Sequence, residues 1–164
     1  MPHGPPSTPE GKAQLLELYK LMVQSSEALA ARRIGTNTFF LTANGALLTA
    51  IGLFVRQGAD TRSHGLVIST FCLVGIIVAA AWRNLIVSFG QLNSGKFAVI
   101  LRVEKVLAAA VFDAEWEALG RGKDKKRYRT FTDSERRIPV IFMAIYACAF
   151  IVGVTIAFGW FPVP

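Results

Sequence analysis

Apolar residues fall in three uninterrupted blocks along this chain, and between the blocks they recur as one-sided helical stripes. The blocks are "IGTNTFFLTANGALLTAIGLFV" (34–55), "LVISTFCLVGIIVAAAW" (66–82) and "IPVIFMAIYACAFIVGVTIAFGWF" (138–161), and none contains a charged residue. A hydrocarbon core of ~30 Å, at ~1.5 Å rise per residue, needs ~20 apolar helical residues, so each block can cross or nearly cross a bilayer. One such block could be a buried helix of a soluble domain. Three in 164 residues leave too little polar chain to cover them, which predicts an integral membrane protein.

The stripes predict helices outside the spans. In "AQLLELYKLMVQSSEALAARR" (13–33), Leu15, Leu18, Met22 and Leu29 lie near one face, with Glu17, Lys20 and Glu27 elsewhere. This reads as an amphipathic helix leading into the first span, packing on an inner domain in preference to lying on the membrane surface. Residues 1–12 have no apolar period and read as a disordered N-terminus. Beyond Trp82, Val99, Ile100, Val103, Val106, Leu107 and Ala110 recur at helical spacing, off which lie Lys96, Arg102 and Lys105. The second span is expected to run on, with a break near "NSGK" (93–96), before a short helix at "DAEWEAL" (113–119). "TDSE" (132–135) reads as an N-cap with Glu135 at N3, and Pro139 then falls one turn into the last span. A segment of ~55 residues buries little by itself, so these stripes need the N-terminal helix, the membrane surface or neighbouring subunits.

The first span is unusual in carrying carboxamides. Asn37 and Asn44 are seven apart, within ~20° of each other on a helix. Thr38, Thr42, Gly45, Thr49 and Gly52 form a neighbouring stripe of small and hydroxyl residues, while Phe39, Phe40, Leu47, Ile51 and Phe54 lie mostly on the other side. Two uses fit. The polar face can pack on another helix, where small residues allow close approach and amides bridge at ~0.6–2 kcal/mol each. The competing use is as the lining of an axial pore.

Charge sets the orientation. Of eighteen Lys and Arg residues, four lie in 1–33, two in 56–65, twelve in 83–137 and none after 161. The positive-inside rule puts the first and third of these segments in the cytoplasm. The expected order is a disordered N-terminus (1–12), a cytoplasmic amphipathic helix (13–33), a first span (34–55), an outer loop (56–65) and a second span (66–82). A basic helical cytoplasmic domain (83–137), a third span (138–161) and an outer tail (162–164) follow. Trp82, Trp160 and Phe161 stand at span ends, where aromatic rings favour the interface. Six of the nine residues 121–129 are basic: Arg121, Lys123, Lys125, Lys126, Arg127 and Arg129. They read as contacts to anionic headgroups at ~1 kcal/mol each. Nucleic-acid or nucleotide binding is the competing reading, set aside because the next span begins only nine residues later.

Composition adds exclusions. The chain is 52% hydrophobic, with formal net charge +7. Its first 33 residues lack an apolar signal core, so the first span reads as a retained anchor. Cys72 and Cys148 fall inside spans and read as small buried hydrophobes. No phosphate-cradling glycine loop, GxSxG or HExxH occurs, His3 and His64 are far apart, and the spans hold no ionisable side chain for a proton relay. The chemistry expected is therefore not enzymatic, with no metal and no cofactor. Glu104 and Glu115 read as helix-surface ion-pair partners of Arg102, Lys105 or the basic loop.

Several runs resemble a known family: "RRIGTNTFFLTANGALLTA", "AAAWRNLIVSFGQLNSGKFAVILRVEKVL", "FDAEWEAL" and "YRTFTDSERRIPVIF". The resemblance is to the RipA-type small bacterial cytoplasmic-membrane proteins. It rests on Asn37, Phe39, Trp82, Leu92, Asn93, Lys96, Phe97, Glu115, Trp116, Glu135, Ile138 and Pro139, and covers roughly residues 15–146. It implies a homo-oligomeric, octameric ring in the bacterial inner membrane, and no known reaction. Asn93, Lys96, Phe97, Glu104, Glu115 and Trp116 become candidate subunit contacts, Trp116 the strongest anchor by area. The expected fold is thus all-α, with three transmembrane helices plus a helical cytoplasmic domain, assembled as a ring. Its partners are the lipid bilayer, further copies of itself and an unidentified cytoplasmic protein. The axis would form a pore or regulated channel; the alternative is a non-conducting scaffold that recruits a partner or organises lipid.

Overall fold

The structure, a computed structural model, describes residues 7–56, 61–123 and 134–159. Among these the regular elements are all helical: α1 (Pro9–Arg56), α2 (Thr61–Glu104), α3 (Val111–Ala118) with a turn at Gly120–Gly122, and α4 (Arg137–Ala157). α1, α2 and α4 are each long and apolar enough to cross a membrane.

α1 and α2 outrun their apolar blocks without a break. α1 starts at Pro9, earlier than the apolar stripe indicated. The Thr8 hydroxyl accepts from the Gly11 amide at 3.2 Å, and proline at the first helical position gives up a donor that had no partner to lose. The break expected near Asn93–Lys96 does not occur. That turn of α2 is tied to α1 instead: Ser26 donates to Asn93 Oδ1 at 3.3 Å and Lys96 donates to the Ser25 hydroxyl. α4 begins at Arg137, with Pro139 buried in its first turn. Arg136 stands at its N-cap without a side-chain bond to the helix end, and Thr132 and Asp133, the start of the expected capping segment, lie outside the described residues.

The chain forms two compact units, residues 1–34 with 88–133 and residues 35–87 with 134–164. In the second unit α2 is the most enclosed helix: 39% of its apolar stretch is buried, against 17% for α4 and 6% for α1. Ile51, Ile68, Cys72 and Tyr146 make its core, with Leu47, Phe71, Phe142 and Phe150 packed around them. Glycines bring α2 and α4 together. A Cβ on Gly65 would lie 2.5 Å from the Ala157 amide nitrogen, and one on Gly75 would lie 2.6 Å from the Tyr146 ring. Trp82 belongs to this interior, only 2% exposed, rather than to the interfacial belt expected from its place at a span end. Trp160 and Phe161 lie outside the described residues. Cys72 is buried as expected, but Cys148 is exposed on the outer face of α4.

In the first unit Leu29, Ile100 and Val103 are buried, and Phe112 of α3 meets Tyr19 (6.4 Å between ring centroids) and Phe97 (5.8 Å, edge-on). Leu18, read from its spacing as part of the buried stripe, is 59% exposed.

Candidate functional site

In the span of α1 the two carboxamides and the small-residue stripe part company. Asn37 and Asn44 turn inward. The Trp82 indole donates to Asn37 Oδ1 at 2.9 Å, and its ring stacks on Phe40 with planes 5° apart. Asn44 is fully buried; its side-chain amide donates to the Phe40 carbonyl at 2.7 Å, and the Tyr146 hydroxyl donates to the Asn44 backbone carbonyl at 3.0 Å. Asn44 Oδ1 is buried and accepts no hydrogen bond. These contacts join α1 to α2 and α4 within one chain, where a low-dielectric surrounding strengthens each bond that is made.

Thr38, Thr42, Thr49 and Gly52 are exposed, and Gly45 is half-buried. Nothing stands within 4 Å of the place a Cβ would occupy on Gly35, Gly45 or Gly52. Thr49 donates back to the Gly45 carbonyl at 2.9 Å, which satisfies its hydroxyl in an apolar medium. At Gly45 and Gly52 the stripe is thus an open surface that another helix can approach closely.

The second polar centre is Glu104, at the end of α2 and 1% exposed. Its Oε1 accepts from the Tyr19 hydroxyl at 2.7 Å and from the Phe112 amide at 3.0 Å; Oε2 accepts from the Asp113 amide at 3.0 Å. The carboxylate closes the N-terminus of α3, where free amides and the helix dipole favour an anion. Burial pushes its pKa up. The bonds from the Phe112 amide, Tyr19 and the Asp113 and Val111 amides outweigh that and hold it below the ordinary carboxyl value. Tyr19 moves the other way: burial, the bond to Glu104 and the nearby negative charge push it up to about 12. Glu104 is therefore a buried cap and not the surface ion-pair partner expected. Its place four residues after Ile100, on the apolar stripe, was the signal for burial.

The remaining candidate contacts are largely used inside the first unit. Asn93 and Lys96 bond to α1, Phe97 packs on Phe112, and Trp116 is half-buried over Gly122. Glu115 is exposed. Arg121 reaches Asp113 at 3.6 Å and Glu117 at 4.0 Å, so it is paired within the chain. Lys123 is exposed, and Lys125, Lys126, Arg127 and Arg129 lie outside the described residues.

No curated protein and no solved structure matches the chain significantly. A family model matches residues 16–156, consistent with the likeness to RipA-type proteins and covering all three apolar helices. The chain belongs to the octameric membrane protein family (8xMP).

Proposed function

We propose that the chain works as a homo-oligomeric, octameric assembly in the bacterial cytoplasmic membrane, with its N-terminus inside and C-terminus outside, and that it acts as a non-conducting scaffold. Family membership supports the self-association. The observation that carries the scaffold reading is the inward turn of Asn37 and Asn44, whose side chains are engaged within the chain, Asn37 by Trp82 and Asn44 by the Phe40 carbonyl. In this reading the Thr38–Thr42–Gly45–Thr49–Gly52 stripe packs against the next copy, since small residues allow helices in lipid to approach closely. The basic first unit then offers a surface to anionic headgroups or to a cytoplasmic protein. No catalytic step is involved.

A channel is the second reading, favoured by the exposed hydroxyls of Thr38, Thr42 and Thr49, which would offer polar atoms to a water-filled axis. Reconstitution into lipid vesicles separates the two. The scaffold reading expects copy number eight by native mass spectrometry and ion flux equal to that of protein-free vesicles. Flux above that level that changes in Thr42→Leu or Thr49→Leu would move the assignment to a channel.

A further inference from the structure

The first unit carries two largely exposed stripes on two different helices. On α2, Ser88, Leu92, Gly95, Val99 and Arg102 are spaced alternately four and three residues apart, and Val106 continues the series just past the helix end. All six are exposed. Leu92 is 52%, Val99 46% and Val106 41% exposed, and a Cβ on Gly95 would meet nothing within 4 Å. On α1, Gln14, Leu18, Leu21, Ser25 and Ala28 follow the same alternation; all but Ser25 are exposed, and Ser25 is half-buried and accepts from Lys96 of the same chain. Leu18 and Leu21 are 59% and 58% exposed, and Ala13, Gln14, Leu16 and Glu17 complete a shallow apolar groove around them.

An alternation of four and three is the seam of a coiled coil, and a seam has meaning only against another helix. Lipid tails do not explain the α2 stripe, because Asn93, Ser94, Lys96, Arg102 and Lys105 share its stretch of helix. A closed ring needs two different faces per subunit, since head-to-tail contacts are what generate rings. The two stripes supply such a pair with matching period. Their charges also differ. The one acidic residue of α2 from 88 onward is Glu104, buried and fully bonded, which leaves Arg102 and Lys105 on the outside. Along the α1 groove stand Glu10 and Glu17, seven residues apart; Glu17 also pairs with Lys20 one turn on at 2.8 Å, an exposed pair that an incoming Arg102 or Lys105 can share.

We infer that the Leu92–Gly95–Val99 stripe of α2 in one copy packs into the Leu18–Leu21 groove of α1 in the next copy. Leucine and valine fill the seam, while Ser88 and Gly95 let the helices close. Opposite charges at the edges set the direction of the ring. This contact rests on the homo-oligomeric reading above and names where, outside the spans, the copies meet.

The test uses the full chain with Cys148→Ser, in mild detergent and in nanodiscs, read by native mass spectrometry. The unsubstituted seam is expected to give the complete oligomer; a monomer here would overturn the assembly reading itself. Leu92→Lys with Val99→Lys is expected to yield mainly species smaller than the parent oligomer while helicity by circular dichroism is kept. The second measurement does not depend on that variant folding. Leu18→Cys or Leu21→Cys is combined in one chain with Leu92→Cys or Val99→Cys and oxidised. At least one pair is expected to give a ladder of cross-linked multimers beyond the dimer, with no ladder from any single substitution. An intact oligomer that ignores the lysines and gives no ladder from any pair overturns the seam while leaving the assembly standing. Cross-linking that stops at a dimer and needs only the α2 cysteine overturns the pairing with α1.

Discussion

Asn37 and Asn44 stand two turns apart on one face of α1, yet replacing them is expected to have opposite consequences. Asn37→Leu strands the Trp82 indole N–H in an apolar interior, a loss of about 1–3 kcal/mol for an unpaired buried donor. Asn44→Leu removes an oxygen that already lacks a partner, so stability is expected to hold or rise. Thermal midpoints of the two variants in one detergent check the contrast. Trp82→Phe, alone and with Asn37→Leu, completes a cycle whose coupling is expected to be non-zero. Glu104 gives a second prediction at this scale. Its folded pKa is lowered, so its stabilisation is complete above the unfolded carboxyl value of ~4.3 and is lost as pH falls through the folded value. Tyr19 has the opposite sign: neutral Tyr19 contributes fully below the unfolded value of ~10, and its contribution is lost as pH rises toward about 12. Subtracting the alkaline absorbance titration of Tyr19→Phe from that of the parent is expected to show the Tyr19 step near the top of that range. Glu104→Gln should bring the step down. The spacing of the asparagines was legible in the sequence, whereas their partner was not. Trp82 is 45 residues from Asn37, and its place at a span end pointed to the interface instead.

Helix contacts in the span are set by what is missing from their side chains. Gly65→Ala would press a methyl against the α4 backbone at 2.5 Å, where nothing flexible can give way, so α2 and α4 must separate. The expected loss is about 1–3 kcal/mol, as for other overpacked interiors, and a falling thermal midpoint checks it. Gly75→Ala is expected to be comparable, because the Tyr146 ring under it is fully buried. The three spans were plain in the sequence because uncharged blocks of that length have few other uses. Their continuation was harder to see. Where an apolar block gives way to an amphipathic stripe the composition changes abruptly, but the helical period does not, and α1 and α2 run through the change. The Thr8–Pro9 start of α1 was also written in the chain, as a capping residue followed by a proline, though a hydrophobic stripe alone places the start later.

The assembled state is the part that periodicity could not supply. A face that meets another copy and a face that meets lipid can carry the same small and apolar residues, so the pattern in α1 favours packing without excluding a pore lining. Resemblance and family membership supply the self-association, and exposure within the chain separates the two faces of α1. At this scale Gly45→Leu with Gly52→Leu is expected to lower the copy number in nanodiscs and leave the helicity of each chain unchanged, because both positions are open within the subunit. Native mass spectrometry beside circular dichroism checks both halves. The unbroken run of α1 through 48 residues has one more consequence, for how such a chain can change over time. Inserting or deleting one residue anywhere along it turns one end against the other by ~100° and takes one set of contacts out of phase. Steps of about seven or eleven residues leave both ends within ~20° of where they began. The length of this helix is therefore quantised, and relatives are expected to keep it unchanged or to differ by such steps.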